Sequence, residues 1–573
     1  NCKIIILLSQ KMRHIIWKTY LTGGIGWLLS LSSLAYNPQP SANNTDISIS
    51  EQVSIAANDF LNSIGINSAI HVRGESPEQT LKCIKYCGFR WIRSGYESTA
   101  FFNDEVYKNI HNETGVLFSY GVGSGGTNID RIISDARRLH HMGALLAFES
   151  LNEPNNWGII WNGEAGGKDN SWLPIAKFQK EYYARVKSDP ELSSYPMFGI
   201  SEVGGMKDNV GLQYLTIPEG ANTMMPDGTQ YADYVNIHNY VTHPKWPGGI
   251  HDNQTWIAAS PYSDCLVDEL HDNHGLTWWS KIPGYENQDL ETLPRVTTET
   301  GTTINNDVDE DMHSKLLTNL YLAQYKRGYS YTAIYLLRDR SDEEGNQTFG
   351  FYDPDYQPRQ AAHYLHNLTT ILADNRQAIT PEGSISYKID GKGETIHDIL
   401  LRKSNGNYFL VIWGENYKSE AKNVTIQFKK QYKTINIYDV KQSCDAIDTR
   451  QNTDAISLSI KDEIKILELE TSESVSNENI SSNTTSDFYY LPQSDNLYFT
   501  CPQNISSVNI INAHGQTCSK EEYPNKYMTM KHLQPGIYII HCQLSNGNII
   551  SKRIIVQIST AINRALHQIP RFF

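Results

Sequence analysis

Cysteine is scarce in this 573-residue chain, with only eight. Cys2 precedes the first Met, leaving Cys83, Cys87, Cys265, Cys444, Cys501, Cys518 and Cys542. So thin a scatter excludes a disulfide framework as the source of stability. Cys83 and Cys87 are four apart, which is neither C-x-x-C nor a zinc spacing, and they read as buried free thiols. Cys501, Cys518 and Cys542 share one small region, where a single disulfide fits. Positive charge is also short: 49 Lys+Arg stand against 63 Asp+Glu, a net charge of −14. That argues against a nucleic-acid or anionic-membrane partner, either of which favours a basic face. Beyond the first 35 residues no apolar run is long enough to span a bilayer. There is no P-loop, H-E-x-x-H, G-x-S-x-G or EF-hand loop. His71-Val72-Arg73 lacks the H-x-H of a zinc-hydrolase barrel, and no metal or cofactor is expected. Gly121 to Gly126 match G-x-G-x-x-G, but βα units precede this stretch, and it reads as a barrel loop rather than a dinucleotide site.

Hydrophobic residues at 39% and charged residues at 20% describe a globular chain, and its length suggests three or four domains. From Met12, a basic start (Arg13, Lys18) leads into the apolar stretch 21–34 and then to Ser33 and Ala35 at a small-residue cleavage site. This reads as a secretory signal peptide over 12–35 and predicts export to the periplasm, the cell surface or the medium. Strand-like runs then alternate with amphipathic ones. The strands are expected at Asn67–Val72, Phe89–Ser94, Val116–Tyr120, Ala144–Asn152, Met197–Val203, Tyr234–Val241, Arg295–Gly301 and Tyr331–Leu337. Helices fall between them, as at Ser76–Tyr86 and Asp309–Arg327. Eight βα units over 53–372 predict a (β/α)8 barrel. From residue 373 short strands follow one another without helices, predicting a β-sandwich over 373–470. A polar linker (471–487) and a small all-β domain (488–557) complete the organisation.

Barrel active sites sit where the strands end. The fourth strand ends Asn152-Glu153-Pro154, the seventh Thr298-Glu299-Thr300-Gly301. The sixth carries His238 and Tyr240 on one face, the second ends at Arg93 and the first at His71. Two carboxylates at one barrel mouth suit glycoside hydrolysis, one as proton donor and the other as nucleophile. Glu202, closing strand five, is a further candidate for substrate contact. Glu149 reads as structural, deeper in the barrel.

Asn152-Glu153-Pro154 at strand four, His238-x-Tyr240 at strand six and Thr298-Glu299-Thr300-Gly301 at strand seven together resemble clan A of the glycoside hydrolases. The resemblance implies a retaining enzyme with Glu153 as acid/base and Glu299 as nucleophile. It implies that Asn152 binds the sugar 2-hydroxyl, that Tyr240 lies close to the nucleophile, and that Arg93 is the clan's second-strand arginine. Many clan members end strand eight on a Trp; here Tyr335 or Arg338 takes that place. Seven of the 11 Trp fall between 157 and 279. They are expected to line a glycan cleft, Trp157 foremost, since aromatic faces pack on sugar C–H faces. The expected substrate is therefore a polysaccharide or oligosaccharide. The alternative is a non-catalytic glycan-binding protein on a degenerate barrel.

At the other end, Leu533-Gln-Pro-Gly-Ile-Tyr-Ile-Ile540 and Ser551-Lys-Arg-Ile-Ile-Val556 resemble the C-terminal sorting domain of the bacterial type nine secretion system. That resemblance implies secretion machinery as a partner. The sequence leaves the oligomeric state open.

Overall fold

The computed structural model describes residues 48–95, 102–201 apart from 155, 168, 169 and 172, 232–241, 250–259, 294–340, 348–376, 378–470 and most of 488–556. The chain forms two compact units, one reaching Glu470 and one beginning at Thr471.

The first unit opens with two short strands, β1 (Ser50–Val53) and β2 (Ile55–Ala56), and helix α1 (Ala57–Asn62). Strands and helices then alternate: β3 (Ile64–Asn67), α2 (Pro77–Cys87), β4 (Trp91–Ser94), α3 (Asp104–Thr114), β5 (Leu117–Val122), α4 (Ile129–His141) and β6 (Leu145–Leu151). A small hairpin follows β6, made of β7 (Ile159–Trp161) and β8 (Glu164–Gly166). Next come α5 (Leu173–Ser188), β9 (Met197–Phe198), β10 (Val235–Asn236), α6 (Gln254–Ala258), β11 (Arg295–Thr300), α7 (Glu310–Lys326), β12 (Tyr329–Ile334) and α8 (Gln360–Leu372).

The helices begin and end where their sequences signal. Ser76, Asn103, Asn128 and Asp309 each accept a first-turn backbone N–H, and Gly88 and Gly115 stop α2 and α3 in the left-handed conformation. Among the described residues, eight parallel strands pair in the order β10-β11-β12-β3-β4-β5-β6-β9. A parallel bridge between Phe198 and Tyr234 joins the two ends of that row and closes the (β/α)8 barrel.

The barrel interior changes character along its axis. Toward the strand starts it is aromatic: Trp91, Phe198, Tyr234 and Tyr331 pack edge to face or tilted, with centroids 5.3–6.3 Å apart. Gly65 makes room for this plug, since a Cβ there would lie 2.1 Å from the Trp91 ring. Two residues further along three of the strands the inward side chains turn polar: Asn67 follows Gly65, Arg93 follows Trp91, and Asn236 follows Tyr234. The period of two along a strand places these residues on the same face.

After the barrel come β13 (Ser384–Asp390), β14 (Ile396–Arg402), β15 (Tyr408–Gly414), β16 (Lys422–Asp439), β17 (Ala446–Ile460) and β18 (Ile464–Leu469). They form one continuous sheet, ordered β1-β13-β16-β18-β15-β14-β2, with β17 beside β16. The long strand β16 pairs with β13 through Thr425–Phe428 and with β18 through Ile435–Asp439, so a single strand serves both flanks of the sheet's core. Two of its members, β1 and β2, come from ahead of the barrel in the chain. Strand β15 is buried at every position. Leu410 and Ile412 enter the sheet's own core, while Phe409, Val411 and Trp413 join the core shared with the barrel.

The second unit pairs β19 (Phe488–Leu491), β20 (Asn496–Phe499) and β23 (Tyr527–Thr529) in one antiparallel sheet. Strands β21 (Ile505–Asn512), β22 (Thr517–Glu522), β24 (Gly536–Leu544) and β25 (Ile549–Val556) form another. Phe488, Leu497, Val508, Ile540 and Val556 share one core. Cys83, Cys87, Cys444, Cys518 and Cys542 are free thiols, and Cys501 lies outside the described residues. No helix among the described residues is long and apolar enough to cross a membrane.

Candidate active site

The polar end of the barrel is organised around Arg93, which is fully buried. Its Nε donates to both oxygens of Glu149, at 2.8 and 2.9 Å. One terminal nitrogen donates to Glu299 Oε2 at 2.6 Å and to Asn67 Oδ1 at 3.1 Å. The other donates to Asn152 Oδ1 at 2.6 Å. A planar, permanently charged fork is suited to holding so many acceptors at once. The contact to Asn152 also orients that amide: with Oδ1 taken by Arg93, Nδ2 faces away and donates to Ser124 Oγ at 3.0 Å.

Glu153 follows strand β6 with φ of 44°, a left-handed conformation that L side chains rarely adopt. Such residues cluster at functional sites, where the surroundings hold the strain. Its Oε1 lies 2.7 Å from His238 Nδ1, and its Oε2 accepts from Asn156 Nδ2 at 2.9 Å. His238 is buried, and burial pulls its pKa down to about 4, so the ring is neutral near pH 7. It carries one N–H between two contacts, Glu153 on Nδ1 and Thr298 Oγ1 on Nε2 at 3.0 Å.

On strand β11 a register shift between Thr297 and Thr300 breaks the alternation. Thr298 and Glu299 therefore both turn inward, as an extra residue at a bulge allows. Glu299 Oε1 accepts from the Tyr240 hydroxyl at 2.5 Å. Burial raises the Glu299 carboxyl above its ordinary value and Glu153 adds to the rise, while Arg93 and Tyr240 oppose it. Tyr240 is itself pushed far upward, by burial first and by Glu299 next, and stays protonated.

One oxygen of Glu153, one of Glu299 and a ring nitrogen of His238 lie within 4.8 Å of one another. That spacing would also suit a metal ion, but the Arg93 guanidinium already occupies Glu299 and its charge opposes a second cation there. His140, His141 and Glu191 form another such trio at the opposite end of the barrel, where Arg137 contacts Glu191 at 2.8 Å.

The structure thus gathers Arg93, Asn152, Glu153, His238, Tyr240 and Glu299 into one site. Tyr335 packs beside Tyr240 and against Phe349 at 5.7 Å. Arg338 instead stacks over Tyr356 at 5.0 Å and donates to Pro354 O, away from the carboxylate pair. Of the two strand-eight candidates, the structure brings only Tyr335 to the site. Trp157 is 53% exposed, four residues past Glu153. Glu202 lies outside the described residues, as do Trp172, Trp246, Trp278 and Trp279.

The expected tryptophan-lined cleft needs correcting in two places. Trp161 packs on Phe178 of helix α5 at 5.1 Å, and Trp256 stacks on His397 of the following sheet at 4.1 Å. Both serve local cores. Glu149, expected to be structural, holds Arg93. Three further contributors escaped the sequence reading: Asn67 also holds Arg93, Ser124 receives Asn152, and Asn156 holds Glu153. Asn156 was the readable one, three residues beyond Glu153 in the same turn. Ser124 sits inside the glycine-rich loop, Gly121 to Gly126, with no motif of its own.

Residues 488–557 match the family model described as the secretion system C-terminal sorting domain. The chain therefore carries a sorting domain and is an exported protein. No curated protein matches the chain. Among solved structures it is similar to a bifunctional glucanase-xylanase from a metagenome library, at 11% identity and TM-score 0.46, over 74% of this chain and 99% of that one. It is also similar to a family 51 arabinofuranosidase from Xanthomonas axonopodis pv. citri, at 12% identity and TM-score 0.43, over 74% and 100%. A third is a family 39 glycoside hydrolase from Bacteroides cellulosilyticus, at 13% identity and TM-score 0.41, over 73% and 82%.

Proposed function

We propose that the chain is a retaining glycoside hydrolase that cleaves β-glycosidic bonds of a polysaccharide or oligosaccharide. The observation that carries this reading is the pair of carboxylates, the buried Glu153 and the part-buried Glu299, with oxygens within 4.8 Å across one barrel mouth. Retaining enzymes need about 5 Å between the two groups, whereas inverting ones need about 6.5–9.5 Å to admit a water between them.

Charge supports a division of roles. Three carboxylates, Glu149, Glu153 and Glu299, cluster here; Arg93 is ion-paired with Glu149 and Glu299, while Glu153 sits against the neutral ring of His238 and the amide of Asn156. An adjacent opposite charge favours ionisation, and a crowd of like charges keeps one member protonated. Glu299 is accordingly the nucleophile. It attacks the anomeric carbon while Glu153 delivers its proton to the leaving oxygen. Glu153 then takes a proton from the water that releases the sugar from Glu299. Asn152 Nδ2 carries a second hydrogen beyond the one given to Ser124, and this donates to the sugar 2-hydroxyl. Tyr240 holds the Glu299 oxygen not taken by Arg93, leaving the carboxylate fixed on both sides before substrate arrives.

The test is reducing-sugar release from a broad glycan panel by the wild-type chain and by Glu299→Gln, with the anomeric form of the first product followed by NMR. Release with retained configuration, lost in Glu299→Gln, is the expected result. An inverted product, or glycan binding without release by the wild-type chain, overturns the reading.

A further inference from the structure

We propose that Glu415, which directly follows strand β15 of the sheet beyond the barrel, is a positioning residue for the active site. The proposal rests on the glycosidase reading above. Glu415 is completely buried. Its carboxylate accepts from Thr255 N at 3.0 Å, Thr255 Oγ1 at 2.5 Å, Trp256 N at 3.0 Å and Trp413 Nε1 at 3.2 Å. Its carbonyl accepts from Asn253 N at 3.0 Å. Two first-turn donors of α6, Thr255 N and Trp256 N, which have no partner within the helix, therefore end on one side chain from outside it. Helix α6 has five residues, and isolated helices below about 12 residues are marginal in water. Its geometry must come from outside itself. The sheet also grips it elsewhere: Trp256 stacks on His397, and Asp252 accepts from Lys418 N at 2.7 Å.

Helix α6 in turn holds the end of barrel strand six. Gln254 Nε2 donates to Val241 O at 3.0 Å, and Asn239 Nδ2 donates to Ala258 O at 2.8 Å. Strand seven braces the same two residues: Thr300 Oγ1 donates to Asn239 O at 2.7 Å, and Val241 N donates to Gly301 O at 3.0 Å. Tyr240 stands between Asn239 and Val241, with its hydroxyl on Glu299. A line of contacts thus runs from Glu415 through α6 and the backbone flanking Tyr240 to the proposed nucleophile. The sheet completes the active site by fixing where Tyr240 stands.

The experiment compares the full chain with Glu415→Ala, Glu415→Gln and a control, Leu410→Ala, which opens the sheet's own core on the face turned away from the barrel. Kinetics are measured at a temperature where all four are folded. Glu415→Ala is expected to lower kcat by about tenfold to a hundredfold, the scale of a misplacement near 1 Å, with KM little changed. Glu415→Gln keeps shape and one acceptor oxygen and should fall in between. Leu410→Ala should lose stability but keep its kcat. Backbone hydrogen exchange over 235–241 should quicken in Glu415→Ala and not in the control. An unchanged kcat in Glu415→Ala, or an equal loss in Leu410→Ala, overturns the proposal. If the wild-type chain cleaves no glycan, the glycosidase reading fails, and unchanged exchange at Val241 in Glu415→Ala would then overturn the coupling as well.

Discussion

Replacing Arg93 should move the acid side of the pH–rate profile upward. Arg93 places its charge 2.6 Å from Glu299 Oε2. Burial already raises the Glu299 pKa, and Arg93 is one of the groups holding it down. A neighbouring cation lowers a carboxylate pKa by about 1–3 units, worth about 1.4–4 kcal/mol. The single change Arg93→Met would also strand Glu149, whose side chain is 1% exposed. Breaking a buried pair from one side costs about 3–5 kcal/mol, so loss of fold would confuse the result. The informative variant is Arg93→Met with Glu149→Gln, which removes both charges together. The nucleophile must be ionised to react, and kcat/KM reports the free enzyme. In the double variant the acid limb of kcat/KM should therefore shift to higher pH by about 1–3 units. Arg93→Lys keeps the charge but has three donors for five contacts, and its limb should lie between. A limb that stays in place, or moves to lower pH, refutes the assignment of Glu299 as the group that Arg93 keeps charged.

Other consequences follow from single residues. Glu153→Gln should lower kcat by about 10²–10⁴-fold on substrates whose leaving oxygen needs a proton. The loss should be much smaller when the leaving group departs without one, as a comparison of natural and activated substrates would show. Glu415 has its pKa raised by burial from 4.5 to about 7. Its stabilising contribution is complete below about 4.5 and is lost as pH rises through about 7, a change of roughly 3 kcal/mol. Glu415→Gln lacks that loss, so its stability relative to wild type should rise across this range in denaturation measured at several pH values. Gly65→Ala would set a methyl group 2.1 Å from a Trp91 ring that is itself pinned by a hydrogen bond to Ser63 O. Overpacking on this scale costs at least about 1–3 kcal/mol and should show as a lowered denaturation midpoint.

Much of the barrel was readable because its signals are local. The cap residues Ser76, Asn103, Asn128 and Asp309 and the stop residues Gly88 and Gly115 act within their own turns, so the βα alternation stands out in the chain. The candidate residues Asn152, Glu153, His238, Tyr240 and Glu299 were visible because each lies at a strand end in a short motif. Contacts between distant segments left no such mark. Strands β1 and β2 sit at the front of the chain yet complete a sheet made mostly after residue 384, and two- to four-residue strands carry too little periodicity to reveal that pairing. Trp256 looked like a sugar platform by its neighbourhood in sequence. Its partners, His397 and Trp413, lie more than a hundred residues away.

The sequence by itself determined the alternating βα pattern, the polar strand ends, the pair of glutamates and the sorting domain at 488–557. These depend on periodicity, capping and short motifs, which are properties of neighbouring residues. Only the tertiary structure decided that one arginine would hold Glu149, Asn152 and Glu299 together. It also decided that a bulge would turn Glu299 inward, and that a buried Glu415 from beyond the barrel would brace the strand bearing Tyr240. The physical reason is burial. Inside a barrel a charge or donor must find its partner across space, and no rule of spacing along the chain names that partner.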